Sequence, residues 1–175
     1  MEITIYYILS QILAFSALAL TALAYQQKNK SKILSFTITG DLLYAVHYFL
    51  LGAWSGVATK IISVTRDAYI RHKGEKQKSI VPLIAFIFAY LTLSILTFDS
   101  PLSLLPLSAA IIYSIGIYNG TEQHLRLITI LVCTLWLFYN FSVSSVAGMT
   151  SDLFVITSNI IAYFRYKKSA QKTGH

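Results

Sequence analysis

The feature that most constrains this chain is a succession of seven apolar segments, each long enough to cross a lipid bilayer. A helix needs roughly 20 mainly apolar residues to span a hydrocarbon layer of about 30 Å. With 55% hydrophobic and only 12% charged residues, the chain has too little polar surface to enclose a soluble core. The sequence therefore predicts an all-α membrane protein with seven transmembrane helices, embedded in the lipid bilayer. The predicted spans are residues 3–25, 33–52, 54–70, 80–97, 101–118, 126–146 and 149–165.

The basic residues predict how these helices are oriented. Twelve of the 14 lysines and arginines fall in connections and segment ends on one side of the membrane, whereas the N-terminus and the second, fourth and sixth connections have none. The positive-inside rule then places the N-terminus outside and the C-terminus in the cytoplasm. It also accounts for the net charge of +7 without a nucleic-acid partner. The twelve residues are Lys28, Lys30, Lys32, Arg71, Lys73, Lys76, Lys78, Arg126, Arg165, Lys167, Lys168 and Lys172.

A stretch of the second segment recurs in the sixth at an offset of 92 residues. Leu-Tyr-Ala-Val-His-Tyr-Phe at 43–49 aligns with Leu-Trp-Leu-Phe-Tyr-Asn-Phe at 135–141, and the same offset places Lys60 on Asp152. Two three-helix bundles joined by a single linker helix share one orientation, which predicts a 3+1+3 parallel repeat about an axis along the membrane normal. The predicted units are a first bundle at 1–73, a linker with the fourth helix at 74–100, a second bundle at 101–168 and a cytoplasmic tail at 169–175.

Each predicted bundle carries one stripe of polar and aromatic residues. Positions i, i+3 and i+7 share one side of a helix, which groups Asp41 with Tyr44 and Tyr48. Facing lipid, such groups would be left unpaired at a high energetic cost, so we expect the stripes to face inward. In parallel repeats the substrate path usually lies between the two halves. The predicted lining of this path is Tyr44, Tyr48, Lys60, Asp67, Trp136, Asn140, Asp152 and Asn159.

The charged residues inside the second and third segments raise separate expectations. At about 1.5 Å per residue, Asp41 and Lys60 lie roughly 12 and 15 Å from the cytoplasmic ends of their helices, which predicts an ion pair. The pair is either a structural clamp or, with Asp152, part of a polar path. Arg66 lies about a turn from the cytoplasmic end, where its long side chain is expected to reach the interface. It points about 100° away from Asp67, so the two need not pair.

Asp67 and its repeat equivalent Asn159 have no evident partner on their own helices. They are predicted to lie at similar depth on opposite walls, where both could contact a solute. The alternative is that each bonds a neighbouring helix within its own bundle.

His47 has three readings: a proton carrier, a ligand or a hydrogen-bonded packing residue. No other histidine lies at ligand spacing within a predicted span, so no metal site is expected. Cys133, the only cysteine, is read as a packed thiol. Gly52-Ala-Trp-Ser-Gly56 is read as a tight turn, and Pro106 as a kink inside the fifth span. No nucleotide-binding or hydrolase motif is present, so neither an enzyme nor a cofactor is predicted.

Two groups of residues resemble the YgjV family of bacterial inner-membrane proteins, over most of the chain from the second to the seventh segment. Related sequences tend to have His and Glu where this chain has Tyr139 and Asp152, and the pair Asp41 and Lys60 is outside the shared pattern. The residues that carry the resemblance are His47-Tyr-Phe-Leu-Leu-Gly52, Gly56, Arg66, Leu104-Leu105-Pro106, Trp136-x-x-Tyr139-Asn140-Phe141, Asp152, Asn159 and Arg165.

The resemblance implies an inner-membrane location and an architecture similar to that of the SWEET, SemiSWEET and PnuC transporters. In SWEET-type proteins an Asn on the last helix of each bundle contacts the substrate, and Asn159 and Asp67 occupy comparable places. We therefore expect a transporter or facilitator of a small polar solute that works by rocking of the bundles. The sequence is compatible with a homo-oligomer. The alternative is a non-transporting assembly or interaction protein whose polar groups only lock the helices together, and a membrane enzyme is the third hypothesis.

Overall fold

The computed structural model describes residues 4–25, 30–73, 80–119 and 122–173. Within them it contains seven α-helices, one turn of 3-10 helix at Pro101–Ser103 and no strand, which confirms the all-α class. The α-helices are α1 Ile5–Tyr25, α2 Lys30–Leu50, α3 Trp54–Lys73, α4 Val81–Leu96, α5 Leu104–Asn119, α6 Glu122–Ser142 and α7 Val146–Thr173.

The described helices differ in how well they match a membrane span. Four of them, α1, α2, α6 and α7, are long and apolar enough to cross a bilayer. Large apolar side chains cover their outer faces, and Phe141, for example, is 73% exposed. α3 has 20 residues but carries charges, and α4 and α5 have 16 residues each. The seven predicted spans are thus confirmed as seven helices, four of which meet the length and hydropathy of a span.

The helices pack in a ring. Each helix contacts the next in the order α1, α2, α3, α5, α6 and α7, and α7 contacts α1. α4 packs on the outside against α3 and α5. The sets α1–α3 and α5–α7 therefore meet at two seams, α1 against α7 and α3 against α5. Fully buried small residues such as Ala14, Ala17, Ala109 and Ala147 occupy the core and let these helices approach closely.

The α2–α3 and α6–α7 turns have the same backbone geometry at the offset of the sequence repeat. Gly52 and Ser144, 92 residues apart, both have positive φ angles, of 70° and 56°. The residue after each of them donates its N–H to the carbonyl five residues before it, at 2.9 Å in the first turn and 2.8 Å in the second. The interpretation of Gly52 as a turn residue is confirmed. A positive φ is uncommon for serine, so the second turn keeps this geometry without a glycine.

Pro106 does not remove a helical hydrogen bond as predicted. α5 begins at Leu104, after the 3-10 turn, so Pro106 is in its first helical turn. The first four N–H groups of a helix have no partner within it, and a proline there removes no hydrogen bond. The interpretation of Pro106 as a mid-helix kink is therefore wrong.

Several residues used to predict the orientation cannot be placed. Lys28, Lys76 and Lys78 lie outside the described residues. The same is true of four side chains at helix ends, those of Lys30, Lys167, Lys168 and Lys172. α7 itself continues to Thr173, into the stretch predicted to be a tail.

Candidate functional site

A cavity of about 180 Å³ lies inside the ring, lined by residues of α1, α2, α3, α5, α6 and α7. The structure brings seven of the eight predicted lining residues to its wall, and their contact with a solute stays a prediction. These seven are Tyr44, Tyr48, Lys60, Asp67, Trp136, Asn140 and Asp152.

Lys60 reaches groups from both halves of the ring. Its Nζ lies 2.6 Å from Asp41 Oδ1, which confirms the predicted ion pair. The same ammonium lies 5.0 Å from the ring centroid of Tyr44 and 4.9 Å from that of Trp136. Ammonium groups at such distances are attracted by the negative faces of aromatic rings. Tyr44 and Trp136 are equivalent positions of the predicted repeat, and Lys60 lies near both rings.

A stack of three aromatic rings forms one wall of the cavity. Tyr48 lies between Tyr44 and Trp136, with centroid distances of 6.0 and 5.6 Å and interplanar angles of 23° and 18°. The Tyr48 hydroxyl donates to Asn140 Oδ1 at 2.9 Å, which ties the stack on α2 to α6. Tyr48 is 1% exposed, so its position is fixed by packing as well.

Asp152 faces the same cavity with a neutral partner. Asn140 Nδ2 donates to Asp152 Oδ2 at 2.8 Å, so both ends of the Asn140 amide are engaged. In the part of the chain that the structure describes, the ion pairs around the cavity are Lys60–Asp41 and Arg66–Asp67, and neither includes Asp152. Asp152 is therefore the carboxylate at this site that lacks a cation within ion-pair distance.

Arg66 is buried, contrary to the expectation that it reaches the interface. Its Nε donates to Asp67 Oδ1 at 2.9 Å, and its Nη1 donates to Ser114 Oγ on α5 at 2.9 Å and to the Tyr90 hydroxyl on α4 at 3.4 Å. The guanidinium also lies 5.2 Å from the ring centroid of Tyr113. The predictions that Arg66 snorkels, and that Asp67 has no partner on its own helix, are both wrong. Arg66 stays inside because hydroxyl groups of two other helices accept hydrogen bonds from its guanidinium. It reaches Asp67, although the two side chains leave the helix about 100° apart, because the arginine side chain is long.

Asn159 is not among the residues that line the cavity. It is half-buried, and its Nδ2 donates to the Val155 carbonyl at 2.9 Å, one turn earlier on α7. The expectation that Asn159 has no partner on its own helix is therefore wrong. The structure places Asp67 at the cavity wall but not its repeat equivalent.

His47 lies outside the cavity lining and is 0% exposed. Its Nδ1 lies 2.8 Å from the Ser10 carbonyl and its Nε2 2.7 Å from Ser145 Oγ. Because the carbonyl can only accept, Nδ1 carries the proton and Nε2 accepts from the serine hydroxyl. Of the three readings of His47, the hydrogen-bonded packing residue is the one that the structure confirms.

Tyr139, the repeat equivalent of His47, makes the reciprocal contact. Its hydroxyl lies 2.9 Å from Ser55 Oγ and accepts from the Gly56 N–H at 3.0 Å. His47 on α2 thus bonds the α6–α7 turn, and Tyr139 on α6 bonds the start of α3. The two side chains hold the halves together at corresponding places.

Thirteen residues of the cavity wall were not in the predicted lining, and Asp41, Arg66 and Cys133 are among them. Asp41 and Cys133 share a helix side with predicted lining residues, and that spacing could have included them. The sequence does not mark Arg66 as a lining residue, because its partners come from distant helices. Cys133 is 9% exposed, so the packed thiol also faces the cavity.

The Tyr44 hydroxyl at the cavity is buried without a hydrogen bond of good geometry to any described residue, although Ser151 is near. A buried hydroxyl of this kind is available to a solute. As for metal ligands, no group of three His, Cys, Asp or Glu residues is close enough to hold an ion within the described ranges.

Comparison with known proteins places the chain in a family. A family model, Imp-YgjV, with the description "Bacterial inner membrane protein", matches residues 8–170. No curated protein and no solved structure gives a significant match. The match covers nearly the whole chain, including every residue of the cavity wall. The protein belongs to the Imp-YgjV family of bacterial inner membrane proteins.

Proposed function

We propose that the protein is a transporter or facilitator that passes a small polar solute through the cavity between its two three-helix halves. The observation that carries this proposal is the charged cavity within an apolar bundle. Five charged side chains line it, and six helices contribute to its wall. Ionisable groups inside a membrane protein are expensive, and where they surround a water-sized space they typically mark a solute path.

The volume of the cavity limits the solute. An apolar cavity of about 150 Å³ holds one benzene molecule. A cavity of about 180 Å³ therefore suits a solute of roughly six to ten non-hydrogen atoms in this conformation. Rocking of the halves would open the cavity further on one side at a time.

The packing supports seven spans. The charges of α3 lower its hydropathy, but Lys60, Arg66 and Asp67 all line the cavity instead of facing lipid. α4 and α5 rise about 24 Å over 16 residues each, and the bilayer can adapt to the shortfall by local thinning. Seven spans with the basic connections inside give an outer N-terminus and a cytoplasmic C-terminus.

A 3+1+3 parallel repeat is supported by three observations. The two turns share their geometry, and His47 and Tyr139 make reciprocal contacts across the halves. The seams also correspond, because α1 meets α7 as α5 meets α3. A twofold relation about the membrane normal would let the two halves rock symmetrically around the cavity, as in a SWEET-like architecture.

The second candidate is a non-transporting assembly or interaction protein. The internal hydrogen bonds of His47, Tyr48, Tyr139 and Asn140 favour it, because they fasten helices to one another both within and between the halves. If the protein has this function, the cavity stays closed to water in every conformation.

Cys133 provides the test, since it is the only cysteine and lines the cavity. The native chain in membranes is treated with a membrane-impermeant, water-borne thiol reagent. A water-filled path predicts labelling of Cys133. In a Cys133→Ser background, Leu131→Cys gives the lipid-facing control because Leu131 is 50% exposed on α6, and Asp99→Cys gives an exposed control in the connection before α5.

Labelling of Cys133 and of Asp99→Cys, but not of Leu131→Cys, supports the proposed path. Labelling of Asp99→Cys alone would mean a closed interior and would favour the assembly protein.

A further inference from the structure

The charged side chains around the cavity have one more negative than positive charge. Lys60 is neutralised by Asp41 at 2.6 Å and Arg66 by Asp67 at 2.9 Å, both within the α1–α3 half. The fifth charged group, Asp152, stands on α7 in the other half with the Asn140 amide as its partner. Its carboxylate can accept further hydrogen bonds, so the wall offers a site for a donor that carries positive charge.

An anionic solute does not fit this arrangement. To bind it, Lys60 or Arg66 would have to leave a carboxylate at 2.6 or 2.9 Å and strand that carboxylate inside the bundle. Arg66 is also fixed by Ser114 and is only 5% exposed. Both cations of the cavity are therefore already paired with carboxylates, whereas Asp152 has only the Asn140 amide as a partner among the described residues.

The aromatic wall is suited to an ammonium group. Tyr44 and Trp136 already hold the Lys60 ammonium at 5.0 and 4.9 Å, which shows that their faces accept one. Tyr48 continues the stack towards Asn140 and so towards Asp152. The Tyr44 hydroxyl, which lacks a hydrogen bond of good geometry to any residue the structure describes, adds a polar group for the rest of the solute.

We propose that the solute is a small organic ammonium compound, whose charge is bound by Asp152 beside the aromatic rings of Tyr44 and Trp136. This inference rests on the proposed function and names its substrate class. Lys60 fills the part of the aromatic wall next to Asp41, which leaves Asp152 as the acid that meets the solute. The Asn140 amide positions Asp152 by donating to one of its oxygens.

The test compares solutes of one shape and different charge. Choline is matched with its neutral isostere 3,3-dimethylbutan-1-ol and with the anion 3,3-dimethylbutanoate, and ethanolamine with neutral ethylene glycol. Dissociation constants are measured by isothermal titration calorimetry on the purified full chain in mild detergent. We expect at least one ammonium compound to bind at least tenfold more tightly than its neutral match, and the anion not to bind.

Two variants locate the charge. Asp152→Asn keeps the shape and the hydrogen bond to Asn140 but removes the charge, and Trp136→Leu removes an aromatic face. Each is expected to weaken ammonium binding at least tenfold while it leaves the weak binding of the neutral match unchanged. Asp99→Asn is the matched control, because Asp99 is exposed and outside the cavity lining. Size-exclusion profiles and melting temperatures show whether each variant is folded, and Trp136→Leu still tests the site if Asp152→Asn is not.

Neutral compounds binding as tightly as their ammonium matches would overturn the inference, and so would ammonium binding that neither variant weakens. The absence of ammonium binding overturns it as well. If Cys133 is labelled from water in any of these cases, the solute path stands and only the substrate class is wrong. If Cys133 is not labelled, the path itself fails.

Discussion

The Tyr48 hydroxyl donates to Asn140 Oδ1 at 2.9 Å, and the two residues are 92 positions apart, which makes them equivalent in the proposed repeat. A residue can touch its own equivalent only near the axis that relates the two. The contact is therefore what a pseudo-twofold axis between α2 and α6 predicts. In the proposed repeat, the cavity, which both residues line, lies at that axis.

The close packing around Tyr48 predicts different outcomes at two glycines. A Cβ at Gly56 would lie 2.8 Å from Tyr48 Cγ and 3.0 Å from the Tyr139 hydroxyl, whereas one at Gly40 would meet nothing closer than 3.6 Å. Gly56→Ala should lower the free energy of unfolding by about 1–3 kcal/mol. Gly40→Ala should leave it unchanged or raise it by up to about 1 kcal/mol, because alanine favours a helix. Unfolding in detergent measures both, and equal effects would contradict the close contact at Gly56.

The ion pair between Asp41 and Lys60 predicts coupled effects. Either single change to alanine strands a charge inside the bundle and should destabilise the protein by about 3 kcal/mol. The double variant should lose less than the sum of the two, because it strands neither charge. Additive losses in this double-mutant cycle would show that the pair does not act as a clamp.

Arg66 predicts a contrast with another arginine of the same helix. Arg66→Ala removes the partner of buried Asp67 and should destabilise the protein by about 3–5 kcal/mol. Arg71 is exposed and donates to Ser31 Oγ at 3.2 Å, so Arg71→Ala should change the free energy of unfolding by less than about 0.5 kcal/mol. Similar effects of the two changes would contradict the buried position of Arg66 and would indicate that it reaches the membrane interface.

The orientation is tested by fusions to the C-terminus. Seven spans and a positive inner side predict a fluorescent C-terminal green fluorescent protein fusion and an inactive alkaline phosphatase fusion at His175. The phosphatase folds only outside the cytoplasm, so its activity at His175 would contradict the seven-span topology.

The residues that were predicted correctly follow from local rules. Charges in apolar segments must be paired, and the rise per residue placed Asp41 and Lys60 at similar depth. The stripes were assigned to the interior because lipid cannot satisfy polar groups. These rules gave seven residues of the cavity wall without any knowledge of tertiary contacts.

The errors come from choices that the sequence does not mark. Arg66 is satisfied by Ser114 and Tyr90, which lie 48 and 24 residues away. Asn159 bonds a carbonyl of its own helix, an option open to any asparagine in a helix. Pro106 was misplaced because a 3-10 turn shifts the start of α5, and helix ends are the least certain part of a pattern.

The central claim is that the cavity opens to each side of the membrane in turn, and the labelling of Cys133 in sealed vesicles of both orientations tests it most directly. The impermeant thiol reagent is added outside right-side-out and inside-out vesicles that contain the native chain. Alternating access predicts that Cys133 reacts in both preparations, and that a bound solute slows both reactions. Asp99→Cys in a Cys133→Ser background reports the orientation of each preparation, since it should react only from the outer side. Reaction of Cys133 from one side alone, or from neither, would contradict the account.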